Sequence, residues 1–427
     1  MESVSQNGRK PVFIYDGDCG FCRLWIARWS PLTEEEVVYR PSQEVGENYP
    51  QISPEYFESS VYFVDSEGSF CSGAQAVFKA LSYAPNGKWL LRAYEKVPGF
   101  APISEWGYRQ VAGNRKIFSA LTQWIWGGSL ETPTWFLTRR VFLFLLSLIY
   151  LVAFLSLWTQ IEGLVGQRGI LPVESYLKDA HWGSDRFWNL PTLFWFYAGD
   201  GFLRAICLLG VGASLCVMAN RAVGLSLLVM WGFYLSLFNV AQPFLGFQWD
   251  TLLLETGFLA LFLVPWRRNK GTTGEPPPSP LVLFLFRFLL FRVVFTSGLV
   301  KIISQDPTWN DFTALYYHYE TQPLPTWIGW YAHQLPHGFQ EFSVACVFII
   351  QLGVVFLIFG PRRIRYIGCA VLVFHEVLIF LTGNYCFFNL LTLALCLLLL
   401  DDAVFSRWLP GKGNWKFSGQ KKTELVS

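Results

Sequence analysis

Long apolar runs constrain this chain more than any other feature. They lie at about 141–160, 202–219, 222–240, 250–266, 281–303, 341–360, 366–382 and 386–400. About 20 mostly apolar residues are enough for a helix to cross a bilayer, so these runs predict about eight spans, the last short enough to be tilted or partly re-entrant. Composition agrees. Only 15% of the 427 residues are charged and 18% are aromatic, against roughly 25% charged in ordinary soluble domains. Charged residues are denser before about residue 130, which predicts a small globular domain joined to a large membrane domain. The net charge of +2 argues against a nucleic-acid partner. MESVSQNGRKPVF has no long apolar core behind its basic residues, so no signal peptide is expected.

Basic residues orient the spans. Arg139, Arg140, Arg221, Arg267, Arg268, Lys270, Arg362, Arg363, Arg365 and the tail residues Arg407, Lys412, Lys416, Lys421 and Lys422 fall on one side. Arg168, Lys178, Arg186, Arg204 and Lys301 fall on the other. The excess predicts that both termini are cytosolic and that the loops 161–201, 241–249, 304–340 and 383–386 face outward. Those loops carry most of the unusual sequence of this half. They supply the candidates Gln248, Trp249, Asp306, His318, Glu320, His333 and Asn384, with Asp250 and Lys301 at span ends. His333 and His337 are four apart, but Pro336 weakens a shared helix; the two readings are a metal site or a hydrogen-bonded loop. Lys301 reads either as a desolvated base or as an interface anchor.

Ionisable groups within the spans are Glu255, Arg287, Arg292, His375 and Glu376. Such groups are costly in lipid and pair with one another. Counted from the cytosolic edges of the fourth and fifth spans, Glu255 and Arg292 lie at matching depth, which predicts an ion pair, either structural or part of a proton or substrate path. Arg287 lies nearer the edge and can snorkel.

In the first domain, PVFIYD (11–16) is a buried strand by pattern, GDC is a turn and CGFCRLWIARW opens a helix. Asp18 is expected at the N-cap with Cys19 in the first turn and Cys22 one turn later. The helix N-terminus favours a thiolate at Cys19, and Cys22 can resolve a mixed disulfide. Asp16 and Asp18 oppose the thiolate or relay protons to Cys22. Three competing readings remain: a zinc site, which has only Cys71 and no His to complete it; a D-x-D phosphotransfer site; and an inert redox domain. SALTQWIWGGSLETPTWFLT (119–138), with Trp124, Trp126 and Trp135, reads as an interfacial linker.

YDGDCGFC (15–22), SGAQAVFKAL (72–81) and GYRQVAGNRKIF (107–118) resemble three signatures of the DCC family of thiol–disulfide oxidoreductases. The resemblance implies a thioredoxin-like fold, with Cys19 and Cys22 as redox pair and Asp16 and Asp18 as motif acids; Gly20 stands where Pro is common. GQRGILPV, FQWDTLLLETGFLALFL, SGLVKIISQDPTWNDFTALYYHYETQPLPTW, WYAHQLP and LTGNYCFFNLLTLALCLLLLDD are similar to the lipase maturation factor family, whose members assist secreted lipases at the endoplasmic reticulum membrane and are distantly similar to vitamin-K-dependent carboxylase. Against that resemblance, the large C-terminal domain of the animal factors is not expected after Asp402.

The expectation is therefore an α+β/α multi-domain chain: a thioredoxin-like redox domain at 11–120, a linker at 121–138, a polytopic helical membrane domain at 139–402 and a basic cytosolic tail at 403–427. The expected activity is dithiol exchange, with no cofactor or metal. The alternatives are a non-enzymatic maturation factor for secreted lipases and a carboxylase-like enzyme with an outward site. Expected partners are membrane lipid, a redox partner protein and a secreted lipase client. The bacterial inner membrane is favoured, or the endoplasmic reticulum in a eukaryote.

Overall fold

The computed structural model describes residues 10–33, 36–85, 87–126, 133–179, 185–266, 275–322 and 324–406. The expected basic tail beyond 406, Arg267, Arg268, Lys270 and the middle of the expected linker (127–132) lie outside the described residues. The chain divides near residue 132 into two units.

The first unit is built on a four-stranded sheet of order β2-β1-β3-β4: β1 Val12–Tyr15, β2 Val38–Pro41, β3 Tyr62–Val64 and β4 Phe70–Ser72. β1 runs parallel to β2 and antiparallel to β3, which pairs antiparallel with β4. Helix α1 (Gly20–Trp29) makes the β1-to-β2 crossover, and α2 (Gly73–Leu81) follows β4. This βαβ unit joined to a ββα unit is the thioredoxin-like arrangement. α3 (Lys88–Lys96), α4 (Phe100–Gly113) and α5 (Arg115–Trp126) complete the unit. β1 is central, and its side chains alternate between two cores. Phe13 and Tyr15 join Ile26, Phe63, Ala76 and Ala80 on one face. Ile14 joins Ile52, Phe57 and Val64 on the other.

The turn into α2 shows why a glycine stands in SGAQ. Gly73 has φ +69°, and a Cβ there would lie 2.5 Å from the Glu105 carboxylate. That carboxylate accepts from the Ala74 and Gln75 N–H groups at the α2 N-terminus, at 3.3 and 3.1 Å, where unsatisfied donors favour an anion. α5 runs unbroken through residue 120 to Trp126.

The second unit is helical: α6 Phe136–Val165, α7 Asp200–Met218, α8 Val223–Val240, α9 Gln248–Leu263, α10 Pro280–Ile303, α11 Ala314–Thr321, α12 His337–Leu352, α13 Arg362–Thr382 and α14 Phe388–Leu397. α12 is continued by a 3-10 turn over Val354–Phe359. Six of the expected spans are long and apolar enough to cross a membrane: α6, α7, α8, α10, α12 with its continuation, and α13. The other two expected spans are helices of 16 and 10 residues. These are about 24 and 15 Å long.

One face of α9 is buried by its neighbours, while Phe258 and Phe262 are exposed on the other. Leu252, Leu253, Leu254, Thr256, Gly257, Ala260, Leu261 and Leu263 are all buried. Gly257 faces Tyr150 of α6, whose hydroxyl would stand 2.1 Å from any Cβ at that position. That hydroxyl donates to the Leu253 carbonyl at 3.1 Å. Tyr150 also meets Tyr234 edge-on, with ring centres 5.7 Å apart.

Candidate functional site

The dithiol sits at the β1–α1 junction. Cys19 itself, rather than Asp18, is the N-cap: its backbone is extended (φ −75°, ψ 107°), α1 begins at Gly20, and the Arg23 N–H donates to the Cys19 carbonyl at 3.1 Å. Asp18 is displaced because its own N–H donates to the Asp16 carboxylate at 3.0 Å, turning the chain one residue early. The Cys22 N–H points at the Cys19 sulfur, 3.4 Å away, so a backbone donor faces the sulfur that would carry the thiolate.

Cys22 is directed inward. It lines a cavity of about 50 Å³ with Phe13, Trp25, Trp29, Val61 and Tyr108. Burial first, then the hydrogen bond and charge of Cys19, push the Cys22 thiol up to about 12. Both cysteines are half-buried, and the Cys22 sulfur is the one that lines the cavity. Among the described residues, all nine cysteines are free.

The motif acids are tied down. Asp16 accepts from Gln43 Nε2 at 3.0 Å and pairs with Arg115 Nη1 at 3.2 Å. Gln43 also donates to Asp18 at 3.3 Å. Asp16 is thus committed to Arg115, Gln43 and the Asp18 N–H. The third motif closes the same site, because the Tyr108 hydroxyl accepts from the Val61 N–H at 2.9 Å and Arg115 opens α5. Sequence reasoning did not single out Gln43 or Arg115. The Arg within GNRKIF was the available signal.

In the membrane unit, Glu255 of α9 and Arg292 of α10 form an ion pair, with side chains about half exposed on the bundle surface. Asp250 is buried, accepts from the Tyr234 hydroxyl at 2.6 Å and caps α9 through the Phe247 N–H at 3.3 Å. Gln248 opens α9 at the surface, and Trp249 stacks on Phe247 with ring centres 4.5 Å apart.

Lys301 donates to the Ser297 carbonyl at 2.8 Å and to Gln351 Oε1 at 3.1 Å, and lies 4.9 Å from the centre of the Trp309 ring. Gln351 reaches on to His375 Nε2 at 3.3 Å. His318 contacts the Tyr385 hydroxyl at 3.2 Å. Burial, and then the charge of Lys301, hold the His318 imidazole below its usual value. Lys301 and His318 therefore share one polar region with His375, which the sequence offered as a span histidine, and with Gln351 and Tyr385, which sequence patterns did not supply.

The remaining candidates have local partners. Asp306 caps a short helix through the Thr308 N–H at 2.9 Å, and Asn384 accepts from the Cys386 N–H at 3.3 Å. Glu320 and His333 lie 3.8 Å apart. His337 stacks on Tyr316 instead of joining His333. Among the described residues, no three His, Cys, Asp or Glu side chains converge on a metal position.

A CxxC at a strand–helix junction, joined to a multi-pass apolar bundle, defines a membrane protein with a dithiol unit. Comparison with known families is specific for both parts. Residues 137–407 match the lipase maturation factor transmembrane domain, and residues 13–120 match the DCC1-like thiol-disulfide oxidoreductase family. The chain belongs to the lipase maturation factor family and carries a DCC1-like domain ahead of it.

The chain is 47% identical to lipase maturation factor 2 of Xenopus laevis over 279 residues, covering 62% of this chain and 39% of that protein. It is 42% identical to human lipase maturation factor 2 over 299 residues, covering 66% and 42%. It is 36% identical to lipase maturation factor 1 of Bos taurus over 298 residues, covering 67% and 53%. The chain thus spans about 40% to a half of the length of these relatives. No solved structure gives a significant match.

Proposed function

We propose that this chain is a membrane maturation factor for secreted enzymes of the lipase class, with a dithiol unit as its redox accessory. The observation that carries this reading is the likeness of the membrane unit to lipase maturation factors, at 36–47% identity over about 280–300 residues. The distribution of Lys and Arg supports an orientation with both termini and the dithiol in the cytosol. Structural disulfides of secreted clients form in oxidising compartments, so the dithiol serves a partner on its own side of the membrane.

In that exchange the Cys19 thiolate attacks a partner disulfide. A Cys19–partner disulfide forms, and the partner's second sulfur leaves as a thiolate. Cys22 then passes its proton to the departed partner thiolate and attacks the Cys19 sulfur, releasing the partner's first sulfur as a thiolate that takes a proton from water. The chain ends as the Cys19–Cys22 disulfide, oxidised by two electrons, and the partner disulfide is reduced to two thiols. The position of Cys19 at the α1 N-cap favours this order of attack.

The test is to remove the chain, restore it as wild type or as Cys19→Ser/Cys22→Ser, and measure secreted lipase activity in cells and insulin reduction by the purified protein. Removal is expected to lower lipase output, and the double variant to restore it without reducing insulin. Lipase output indifferent to removal overturns the maturation reading. Insulin reduction that survives the double substitution overturns the dithiol role.

A further inference from the structure

Three membrane-helix N-termini meet around one indole. Trp135 stands one residue before α6, Arg287 lies seven residues beyond the start of α10, and Arg365 lies three beyond the start of α13. At about 1.5 Å per residue, both arginines are within about 10 Å of their helix starts, the depth at which a bilayer gives way to headgroups. The Arg287 and Arg365 guanidinium carbons lie 5.7 and 5.9 Å from the centre of the Trp135 ring.

Two like charges on one ring repel, and the acids nearby are already engaged. Asp401 faces Arg365 at 3.8 Å, and Arg365 Nε donates to the Leu399 carbonyl at 2.7 Å. Asp402 accepts from the Phe136 and Thr138 N–H groups at 2.7 and 3.0 Å. Glu275 pairs with Arg139 and Arg140 at 2.6 and 3.0 Å.

Arg287 has no carboxylate and no hydrogen-bond acceptor among the described residues, and its Nε is buried. The Trp135 Nε1–H is buried without a partner as well. Buried donors left unmade are costly, and a guanidinium is a geometric match for a tetrahedral oxyanion. Snorkelling to water does not account for a buried Nε beside a second buried donor.

We propose that Trp135, Arg287 and Arg365 hold a phosphate group at this end of the bundle. A glycerophospholipid headgroup and free inorganic phosphate share this chemistry. The position between apolar helices near their ends favours the lipid, as basic pockets at membrane-helix ends do generally. The site does not depend on the maturation-factor reading.

The experiment is equilibrium binding of radiolabelled diacyl phosphatidic acid to the full chain in detergent, with competition by diacylglycerol of the same chains and by inorganic phosphate. Saturable binding is expected, with diacylglycerol at least about tenfold weaker and Arg287→Gln lowering affinity about tenfold or more, the loss expected for one charge-assisted hydrogen bond. Arg287→Lys should retain part of the affinity. Should Arg287→Gln not fold, Trp135→Phe removes one donor while keeping an aromatic ring, and should weaken binding several-fold. Inorganic phosphate competing as well as the lipid supports the site with free phosphate as its ligand. Diacylglycerol binding as tightly as phosphatidic acid, or affinity unchanged in both Arg287→Gln and Trp135→Phe, overturns the proposal.

Discussion

Arg115 and Asp16 stand 99 positions apart in the chain and 3.2 Å apart in space. The contact ties the first turn of α5 to the junction where the dithiol sits. It sets a countercharge beside the motif acid, and the two charges act in opposite senses on the Cys22 thiol. Both side chains are mostly shielded from water, at 19% and 16% exposure, so the pair is less screened than a surface ion pair.

Removing that countercharge should slow the dithiol. Arg115→Gln is expected to reduce the rate of Cys19 alkylation by iodoacetamide at neutral pH by about three- to tenfold, since the freed Asp16 charge acts at short range. Arg115→Lys should restore most of the rate. Equal rates in all three proteins would show that Asp16 does not act on Cys19.

The Cys22 thiol is pushed up to about 12, chiefly by burial, so its proton is held well past neutral pH. In a Cys19→Ser variant, alkylation of Cys22 should be barely detectable at pH 7–8 and should climb only as pH rises through the strongly alkaline range. The substitution also removes the Cys19 sulfur, the second cause of the shift, so the climb should begin somewhat below 12. Rapid labelling at pH 7 would mean that Cys22 is exposed.

The Glu255–Arg292 pair joins α9 to α10. Glu255→Gln leaves an arginine without its counterion at a lipid-facing position, at a cost of about 2–3 kcal/mol. Thermal unfolding in detergent or nanodiscs should therefore begin earlier. Adding Arg292→Gln should recover part of the loss, because the uncompensated charge goes with it. A double variant as unstable as the sum of its singles would exclude coupling.

Gly257→Ala places a methyl group against the Tyr150 hydroxyl, which is fully buried and bonded to Leu253. The expected destabilisation is about 1–3 kcal/mol by overpacking. Combining it with Tyr150→Phe should relieve part of that cost. Unfolding midpoints of the three variants decide the matter.

Asn389 donates to Glu376 at 2.9 Å inside the bundle, and both are buried. Asn389→Leu strands the carboxyl and should cost about 1–3 kcal/mol. A midpoint unchanged within error would show that water replaces the amide.

Much of this was legible in the sequence for local reasons. The strand before the turn, the helix after it and the one-turn separation of the sulfurs follow from short-range pattern. The Glu255–Arg292 pair was legible because depth along a span can be counted in residues. The N-cap was misplaced by one residue, because the Asp16 side chain takes the Asp18 N–H. The count of eight spans included α9 and α14, which are as apolar as the other six helices but shorter.

The amino-acid sequence by itself determined the two-part plan, the dithiol at a strand–helix junction and a membrane half made of apolar helices. These depend on periodicity and capping, which act within a turn or two. Only the tertiary structure decided that Gln351 links Lys301 to His375, that Arg115 answers Asp16 and that Arg287 shares an indole with Arg365. Those contacts join residues tens of positions apart, and packing of whole elements fixes them, not the preferences of any one segment.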